Sequence, residues 1–415
     1  MTSRKTFLII STVLIFFFIN ACDLFFNESG EPINENIWVN AYLASWQHNP
    51  ETELINSGII KTSEIDWQAF THLTYFSLSI AEDGTPALSL DPSFRHNFNS
   101  DRLNSIVPAA HENDTNILFS VGGGSNYNGF STAITEENRQ TFITTILDLM
   151  DEYGFDGVNL SLPSYSEDPD LDVDSDTELL NYLSNFQAFV PELYNAMESI
   201  QTKRGQQPLL TISALKSSGL VGLYSTLQQY FDQINILTYN MAQPWRGWQT
   251  WHNSALYNKD QVFENNEFLK FPSIDEKVND FINAGIDRSK IGITINFYGT
   301  KWEGVNLFGK WASWPTQDMS IYSNHSYSTI FSDHDLSASQ WDENARVPYL
   351  NLSSPTAFVS YENDQSILEK IKYAQKKRLG GVMVWELGAA FFPENEAGEK
   401  DPLLQSIKAH AFPTN

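Results

Sequence analysis

Short β-branched and aromatic runs alternate with helical patterns along most of the chain. Eight runs are predicted as strands, and they are WVNAYLA (38–44), HLTYFSLSI (72–80), NILFSVG (116–122), DGVNLSL (156–162), LLTISAL (209–215), INILTYN (234–240), KIGITINFYG (290–299) and GGVMVWEL (380–387). Helical patterns lie between them, as at residues 136–154 and 178–200. Alternating strands and helices are typical of a parallel sheet. The pattern therefore predicts an α/β fold, a (β/α)8 TIM barrel, with its reactive groups at the C-terminal ends of the strands.

One connection is too long for a simple strand-to-helix unit. It runs from Thr300 to Thr356, between the seventh and eighth predicted strands, and it is rich in tryptophan and tyrosine. We expect a small α+β insertion at residues 300–356, placed over the mouth of a barrel that occupies residues 37–415.

The first residues have the layout of a secretory signal. Arg4 and Lys5 precede a strongly apolar run that ends at Ala21 and Cys22, and this run is too short to predict a membrane span. Residues 19–22 also resemble a bacterial lipobox, in which the cysteine is acylated after cleavage. We expect a lipoprotein signal peptide at residues 1–21, a polar tether at 22–36 and a lipid anchor at Cys22 that holds the protein at the bacterial cell envelope. An ordinary signal peptide with an incidental cysteine is the alternative.

Composition and charge narrow the class of partner. The chain has 415 residues with 51 acidic and 25 basic side chains, a net charge of −26, which argues against nucleic acid because phosphate contacts require Lys or Arg. A single cysteine excludes an intrachain disulfide. The histidines have no zinc spacing, and the acidic run at 167–178 lacks the glycine and final glutamate of a calcium loop. We expect no metal and no cofactor.

Five of the predicted strands resemble those of glycoside hydrolase family 18, the chitinases and chitinase-like proteins. The similar segments are ILFSVGGGSNYNGF with Ser120, Gly122 and Gly123, FDGVNLSLP, INILTYNM with Tyr239, the FYGTKW end of the seventh strand, and RLGGVMVWEL with Trp385. The resemblance runs in order from Trp38 to Leu387. It implies the barrel fold and a sugar-binding cleft at its mouth.

The same resemblance identifies what this chain lacks. In that family the substrate's own N-acetyl carbonyl attacks the anomeric carbon, and a glutamic acid at the end of the fourth strand donates the proton. Asp156 keeps its place, but Asn159, Ser161 and Pro163 stand at the next three acidic positions. Asn240 likewise replaces the aspartate that follows the tyrosine of the sixth strand. The resemblance therefore implies that these motif positions are degenerate, and we expect no catalytic residue.

Our favoured hypothesis is a catalytically inactive, chitinase-like lipoprotein that binds an oligosaccharide or polysaccharide, of the chitin or N-acetylglucosamine type or a related glycan. Aromatic faces hold sugars without a titrating carboxylate. The expected substrate-binding residues are Tyr42, Phe76, Gly123, Tyr239, Asn240, Trp245, Tyr298 and Trp385. Further aromatic candidates for the cleft are Trp46, Tyr127, Trp248, Trp251 and Trp302.

Two other functions stay open on the sequence. An active family 18 glycosidase would need a relocated acid, for which the candidates are Glu386, Glu167, Asp168 and Glu303. A protein-interaction or inhibitor module on the same fold is the second alternative. Individual residues are also open: Trp385 and Tyr239 are either sugar contacts or core aromatics. Asn159 and Ser161 are either interior groups or altered sugar donors.

Overall fold

The computed structural model describes residues 33–48, 58–87, 98–123, 127–162, 177–215, 220–242, 249–264, 266–305 and 321–413. Its strands are β1 Trp38–Ala44, β2 His72–Ile80, β3 Pro86–Ala87, β4 Asn116–Gly122, β5 Gly157–Ser161, β6 Leu209–Ala214, β7 Gln233–Ile236, β8 Val262–Phe263, β9 Asn266–Lys270, β10 Ile291–Asn296, β11 Tyr298–Glu303, β12 Ile321–Ser326, β13 Gln340–Asp342, β14 Val347–Ser353, β15 Thr356–Ser360 and β16 Gly381–Leu387. Its α-helices are α1 Ser100–Glu112, α2 Tyr127–Ala133, α3 Arg139–Tyr153, α4 Thr177–Glu198, α5 Val221–Leu227, α6 Ile274–Asn283, α7 Tyr327–Asp333, α8 Asp364–Lys377 and α9 Pro402–Ala411.

Eight parallel strands form a closed barrel. Their order is β1-β16-β10-β7-β6-β5-β4-β2, and a further pairing between β1 and β2 closes the ring. The short strand β3 pairs antiparallel with the end of β2. These eight strands are those predicted from the sequence, so the (β/α)8 TIM barrel is confirmed.

Side chains alternate between the two faces of each barrel strand, as the pleat requires. On β5, Val158 and Leu160 join the large apolar core between barrel and helices. The residues between them, Asn159 and Ser161, therefore point into the barrel. On the other barrel strands the outward side chains join the same core, whereas the interior holds polar side chains together with a separate cluster that contains Tyr42, Phe76 and Met383.

Several helices begin at a side chain that satisfies a free backbone N–H group. Ser273 accepts a hydrogen bond from Glu276 N at the start of α6, and Asn363 and Ser366 form a reciprocal capping box on α8. Asp401 accepts from Leu404 N at the start of α9. These caps fix where the outer helices start.

A second sheet lies between β10 and β16 in the chain. It is antiparallel, with five strands in the order β12-β11-β15-β14-β13, and α7 packs against it. We call these five strands, within residues 298–305 and 321–360, the insertion sheet. The predicted seventh strand at 290–299 was wrong at its end, because β10 stops at Asn296 and Tyr298 begins a strand of this other sheet. A continuous apolar run in the sequence does not show where the chain leaves one sheet and joins another.

The insertion sheet has a core of its own, separate from that of the barrel helices. Trp251 and Trp302 are fully buried there, where they pack in one cluster with Phe271 and Phe358. Trp251 and Trp302, both candidates for the cleft, therefore lie in this core, and for Trp251 the structure favours internal packing over cleft lining. Their burial results from the packing of the 249–271 segment against the insertion sheet.

The N-terminal predictions fall outside the described residues. These are the signal peptide at 1–21, Cys22 and all but the last four positions of the tether at 22–36. In the ranges that the structure describes, no helix has the length and apolarity to cross a membrane.

Candidate functional site in the barrel

The barrel interior is lined by neutral polar side chains that bond to one another across the strands. Asn40 Nδ2 donates to Gln233 Oε1 at 3.0 Å and its Oδ1 accepts from Thr74 Oγ1 at 2.8 Å. Asn235 Nδ2 donates to the same Gln233 oxygen at 3.2 Å. These groups are almost fully buried. They connect β1, β2 and β7 in the half of the barrel farther from the mouth, and none of them carries a charge.

Asn159 is the centre of the upper part of this network. Its Nδ2 donates to Ser120 Oγ and to Ser213 Oγ, both at 3.1 Å, and its Oδ1 accepts from Thr211 Oγ1 at 2.9 Å. Both amide protons and the oxygen therefore already have partners inside the protein. Of the two interpretations of this residue, the structure favours an interior group over a sugar donor.

Asp156 has a structural position at the start of the same strand. Its Oδ2 accepts from Ile117 N at 2.9 Å and lies 3.0 Å from His111 Nε2 and 3.6 Å from an Arg204 nitrogen. These contacts join β4, α1 and the loop before β6 at the N-terminal end of the barrel. The carboxylate is thus at the opposite end of the strand from the expected site.

An aromatic cluster closes the interior at the mouth of the barrel. Trp385 is half-buried, and the ring of Phe76 meets it edge-on with centroids 4.9 Å apart. Tyr42 lies 5.8 Å from Trp385 and is fully buried, with its hydroxyl 2.9 Å from Ser213 Oγ. Trp46 is half-buried and meets Phe76 edge-on at 5.9 Å. The rings of Phe76 and Tyr42 therefore both pack against Trp385, and of these two Tyr42 is the fully buried one.

Gly123 lies where the chain passes close to this cluster. Its φ is +85°, and a Cβ built there would be 2.8 Å from Phe76 Cζ and 3.0 Å from Ser161 Oγ. Only glycine fits both the left-handed backbone and the space. The glycine thereby brings Phe76 and Ser161 together at the upper edge of β5.

Tyr239 and Tyr298 form the other side of the mouth. The half-buried ring of Tyr239 is nearly parallel to that of Trp385 at 6.5 Å, whereas the buried Tyr298 meets Tyr239 edge-on at 5.7 Å. Asn240 follows with φ +49°, and its N–H donates to Asn253 Oδ1 at 2.8 Å. The predicted sixth strand at 234–240 was too long, because β7 ends at Ile236 and two residues later the Thr238 side chain, not its backbone, bonds to Thr294 of β10.

The site is electrically neutral on its inner surface. Among the described barrel strands, the inward side chains nearest the mouth include no Asp, Glu, Lys, Arg or His. Tyr42 is the one titratable group among them. Burial raises the pKa of the Tyr42 hydroxyl, against the hydrogen bonds to Ser213 and Thr74, so it stays protonated. The arrangement offers ring faces, hydroxyls and amides, and these groups bind polar neutral ligands.

Of the candidate relocated acids, two are within the described residues. Glu386 follows Trp385 in the chain, and its Oε1 accepts from Gln47 Nε2 at 3.1 Å, in the segment that follows β1. Glu303 lies on the insertion sheet and is 2.9 Å from Lys301 Nζ. Neither carboxylate is in the neutral network beneath Trp385.

Other predicted residues are not brought to this point. Tyr127 packs against Tyr182 with centroids 5.1 Å apart, in the layer of helices. Pro163, Trp245, Trp248, Glu167 and Asp168 lie outside the described residues. Within the described ranges, no group of three His, Cys, Asp or Glu side chains is placed to hold a metal ion.

The sequence interpretation missed most of the neutral network. The missed residues are Asn40, Thr74, Thr211, Ser213, Gln233 and Asn235. A signal for them exists, since each alternates with a buried apolar residue of the same strand, as Thr211 and Ser213 do with Leu210 and Ile212. Polar residues at every second position of a buried strand indicate a polar barrel interior.

The chain belongs to glycosyl hydrolases family 18, which it matches over residues 39–390. It is 27% identical over 323 residues to Chitinase A1 of Niallia circulans, a match that spans 72% of this chain and 42% of that protein. It is 25% identical over 378 residues to Chitinase B of Serratia marcescens, spanning 77% of this chain and 72% of that protein. The fold is similar to the crystal structure of Ostrinia furnacalis Group IV chitinase in complex with allosamidin, with a TM-score of 0.70 and 24% identity over 90% of this chain and 98% of that one.

Proposed function

We propose that this protein is a catalytically inactive, chitinase-like lipoprotein that binds a glycan in the cleft above Trp385. The ligand is an oligosaccharide or polysaccharide of the chitin or N-acetylglucosamine type or a related glycan. The observation that carries the proposal is the neutral inner face of β5, whose inward side chains, Asn159 and Ser161, carry no charge. Family membership supports the sugar as the ligand class.

Loss of catalysis follows from the chemistry of these groups. Protonation of a leaving sugar oxygen requires a positioned acid, and its absence typically costs about 10²- to 10⁴-fold in rate. Amides and serine hydroxyls do not titrate in the range where such an acid works. In the sequence, Pro163 occupies the position of the family's glutamate, and proline has no proton to donate.

Retention of binding follows from the aromatic cluster. A sugar packs its C–H surface on an aromatic face, and the half-buried Trp385 is braced by Phe76, Tyr42 and Tyr239. Bracing reduces the side-chain entropy lost when a ligand binds. The cleft therefore keeps an ordered ring surface although Asn159 and Ser161 stand where the family's motif has carboxylates.

The test is calorimetric titration of the full-length protein in mild detergent with chitooligosaccharides and a glycan panel, with product analysis of the same mixtures. Trp385→Ala removes the ring surface, and Tyr194→Ala, on the outer helix α4, is the matched control. We expect binding without cleavage, lost in Trp385→Ala and kept in Tyr194→Ala. Cleavage would overturn the inactivity and favour a relocated acid, while absence of binding to every glycan would favour a protein partner.

The lipid anchor is a separate part of the proposal. It is supported by the charged start, the apolar run and the lipobox-like Ile19, Asn20 and Ala21 before Cys22. In cells fed labelled palmitate, we expect label on the protein and its loss in Cys22→Ser. A labelled Cys22→Ser variant, or an unlabelled native chain, would contradict the anchor without bearing on the cleft.

A further inference from the structure

We propose that His252 and Asp342 are positioning residues, through which the insertion sheet fixes the backbone of Asn240 at the cleft. This inference rests on the proposed function, because it assigns a control of ligand binding to the same site. It couples two parts of the molecule that are distant in sequence, and it predicts that changes in the insertion sheet alter binding at the barrel mouth.

The path begins on the insertion sheet. Asp342, the last residue of β13, accepts from Asn344 N at 2.8 Å and Ala345 N at 3.0 Å through Oδ1. Its Oδ2 lies 3.1 Å from His252 Nε2. The turn that follows β13 thus holds the carboxylate so that its second oxygen faces the imidazole.

One tautomer of His252 satisfies the whole path. The imidazole is fully buried, and its Nδ1 lies 3.4 Å from Ser360 Oγ. With the proton on Nε2 donated to Asp342, Nδ1 accepts from the Ser360 hydroxyl. The Ser360 oxygen then accepts from Asn253 N at 3.0 Å. Burial lowers the pKa of His252, although Asp342 opposes this, so the neutral ring that the path requires is the favoured form.

The path ends on the backbone beside the cleft. Asn253 Oδ1 accepts from Asn240 N at 2.8 Å, and the carbonyl oxygen of Asn253 accepts from Met241 N at 3.2 Å. Asn240 has the left-handed φ of +49°, a conformation that needs support from its surroundings in a residue other than glycine. Asn253 supplies that support, next to the ring of Tyr239.

A second contact holds the same segment from the barrel side. Ser254 Oγ donates to the carbonyl oxygen of Thr238 at 2.6 Å and accepts from Lys370 Nζ at 2.9 Å. Thr238 also bonds to both backbone groups of Thr294. Because these bonds do not pass through His252, loss of the His252 path frees Asn240 while the end of β7 stays in place. The expected effect is local.

The direct test is amide hydrogen exchange of the full-length protein, with resolution of the Asn240 and Met241 amides. His252→Phe keeps the ring contacts of the imidazole with Trp251, Tyr349 and Phe358 and removes both nitrogens. Asp342→Asn is the milder variant and serves if the first fails to fold. Each is expected to speed exchange of these two amides by about tenfold or more, and the double variant is expected to match His252→Phe alone.

The matched control is Leu350→Ala. Leu350 is buried in a different cluster of the insertion sheet, with Ile330 and Val359, so its truncation weakens the sheet without touching the path. Unchanged exchange at Asn240 in this control supports a specific path. Equal acceleration in all three variants, or none in His252→Phe and Asp342→Asn, overturns the inference.

A binding arm uses chitotetraose as the probe. We expect its Kd to rise about fivefold or more in His252→Phe and Asp342→Asn, and to stay unchanged in Leu350→Ala. If the native protein binds no oligosaccharide, the proposed function fails but the exchange data still decide the path. If the native protein binds and exchange at Asn240 does not respond, the inference fails and the proposed function stands.

Discussion

The inside of the barrel and the junction between α8 and the insertion sheet bury polar groups in opposite ways. Inside the barrel, Asn159 and its partners are amides and hydroxyls. At the junction, Glu362 and Lys370 form a salt bridge with only 2% and 0% of their side chains exposed. Ser366 Oγ donates to the other Glu362 oxygen at 2.7 Å, and Lys370 also donates to Ser254.

The difference shows that this chain tolerates buried charge where a counter-charge is supplied. A buried carboxylate costs several kcal/mol unless it is paired and hydrogen-bonded. The junction meets that condition and the barrel interior, which has no cation among its described inward residues, does not. The neutrality of the site is therefore a local property of the barrel interior, and the proposed loss of proton transfer rests on it.

The largest effect is expected from breaking the charged junction. Glu362→Gln leaves Lys370 buried without a counter-charge, and removal of one partner of such a pair costs about 3–5 kcal/mol. Urea unfolding measures the loss. Lys270→Ala, which removes a solvent-exposed pair with Asp260, is the control and is expected to change the free energy of unfolding by an amount too small to resolve. A similar loss in both variants would remove the distinction between the two regions.

The next effect concerns Asp401, a second buried charge outside the barrel. Burial raises its pKa to about 7, although hydrogen bonds from Leu404 N and Leu403 N lower it. The carboxyl has a pKa of about 3.9 in an unfolded chain. Because the folded state holds the proton more tightly, the free energy of unfolding falls as pH rises from about 4 to about 7 and then levels off.

Asp401→Asn is expected to remove this slope, because the amide keeps the oxygen that accepts from Leu404 N and carries no charge. We expect the variant to be more stable than the native chain by about 2–4 kcal/mol at pH 8 and by much less at pH 4. The control is Asp287→Asn, since the Ser289 hydrogen bonds lower the pKa of Asp287 and give a slope of opposite sign. A native stability that does not change between pH 4 and pH 7 would contradict the prediction.

Much of the barrel can be predicted from the sequence because its strands are regular. The predicted bounds of β1, β2 and β4 coincide with those observed. These strands are apolar runs with clear polar ends, and β2 pairs with both of the others, although β1 also pairs with the distant β16. The pattern alone contains enough information in such cases.

The pattern fails where distant segments decide the structure. Trp302 and Trp251 are 51 positions apart, and only the packing of two segments shows that both are buried in one core. His252 and Asp342 are 90 positions apart, so no local signal marks them as partners. The site could be located through family resemblance, whereas the contacts that position Asn240 could not.

A moderate effect is expected from placing a charge in the neutral network. Asn159→Asp loses both donated hydrogen bonds, to Ser120 and Ser213, and buries a carboxylate without a cation. We expect a loss of about 1–3 kcal/mol in the free energy of unfolding. The new carboxyl has a raised pKa in the folded state, so the loss is greater at pH 8 than at pH 4. Urea unfolding at the two pH values measures it, with the exposed Asn128→Asp as the control. An Asn159→Asp chain of native stability at pH 8 would show that the interior accommodates charge.

The smallest effect is expected from Glu386→Gln, the substitution that tests for an acid beside the cleft. The glutamine keeps an oxygen to accept from Gln47 Nε2 and almost the same volume, so stability should change by less than about 1 kcal/mol. Since the carboxylate bonds to Gln47 and does not take part in the hydrogen bonds that Asn159 makes beneath Trp385, oligosaccharide binding and the absence of product should both be unchanged. Calorimetry and product analysis of native and variant protein check this. If the native chain releases product and Glu386→Gln does not, the charge at this position is catalytic, and the separation between a neutral cleft and charged surroundings no longer holds.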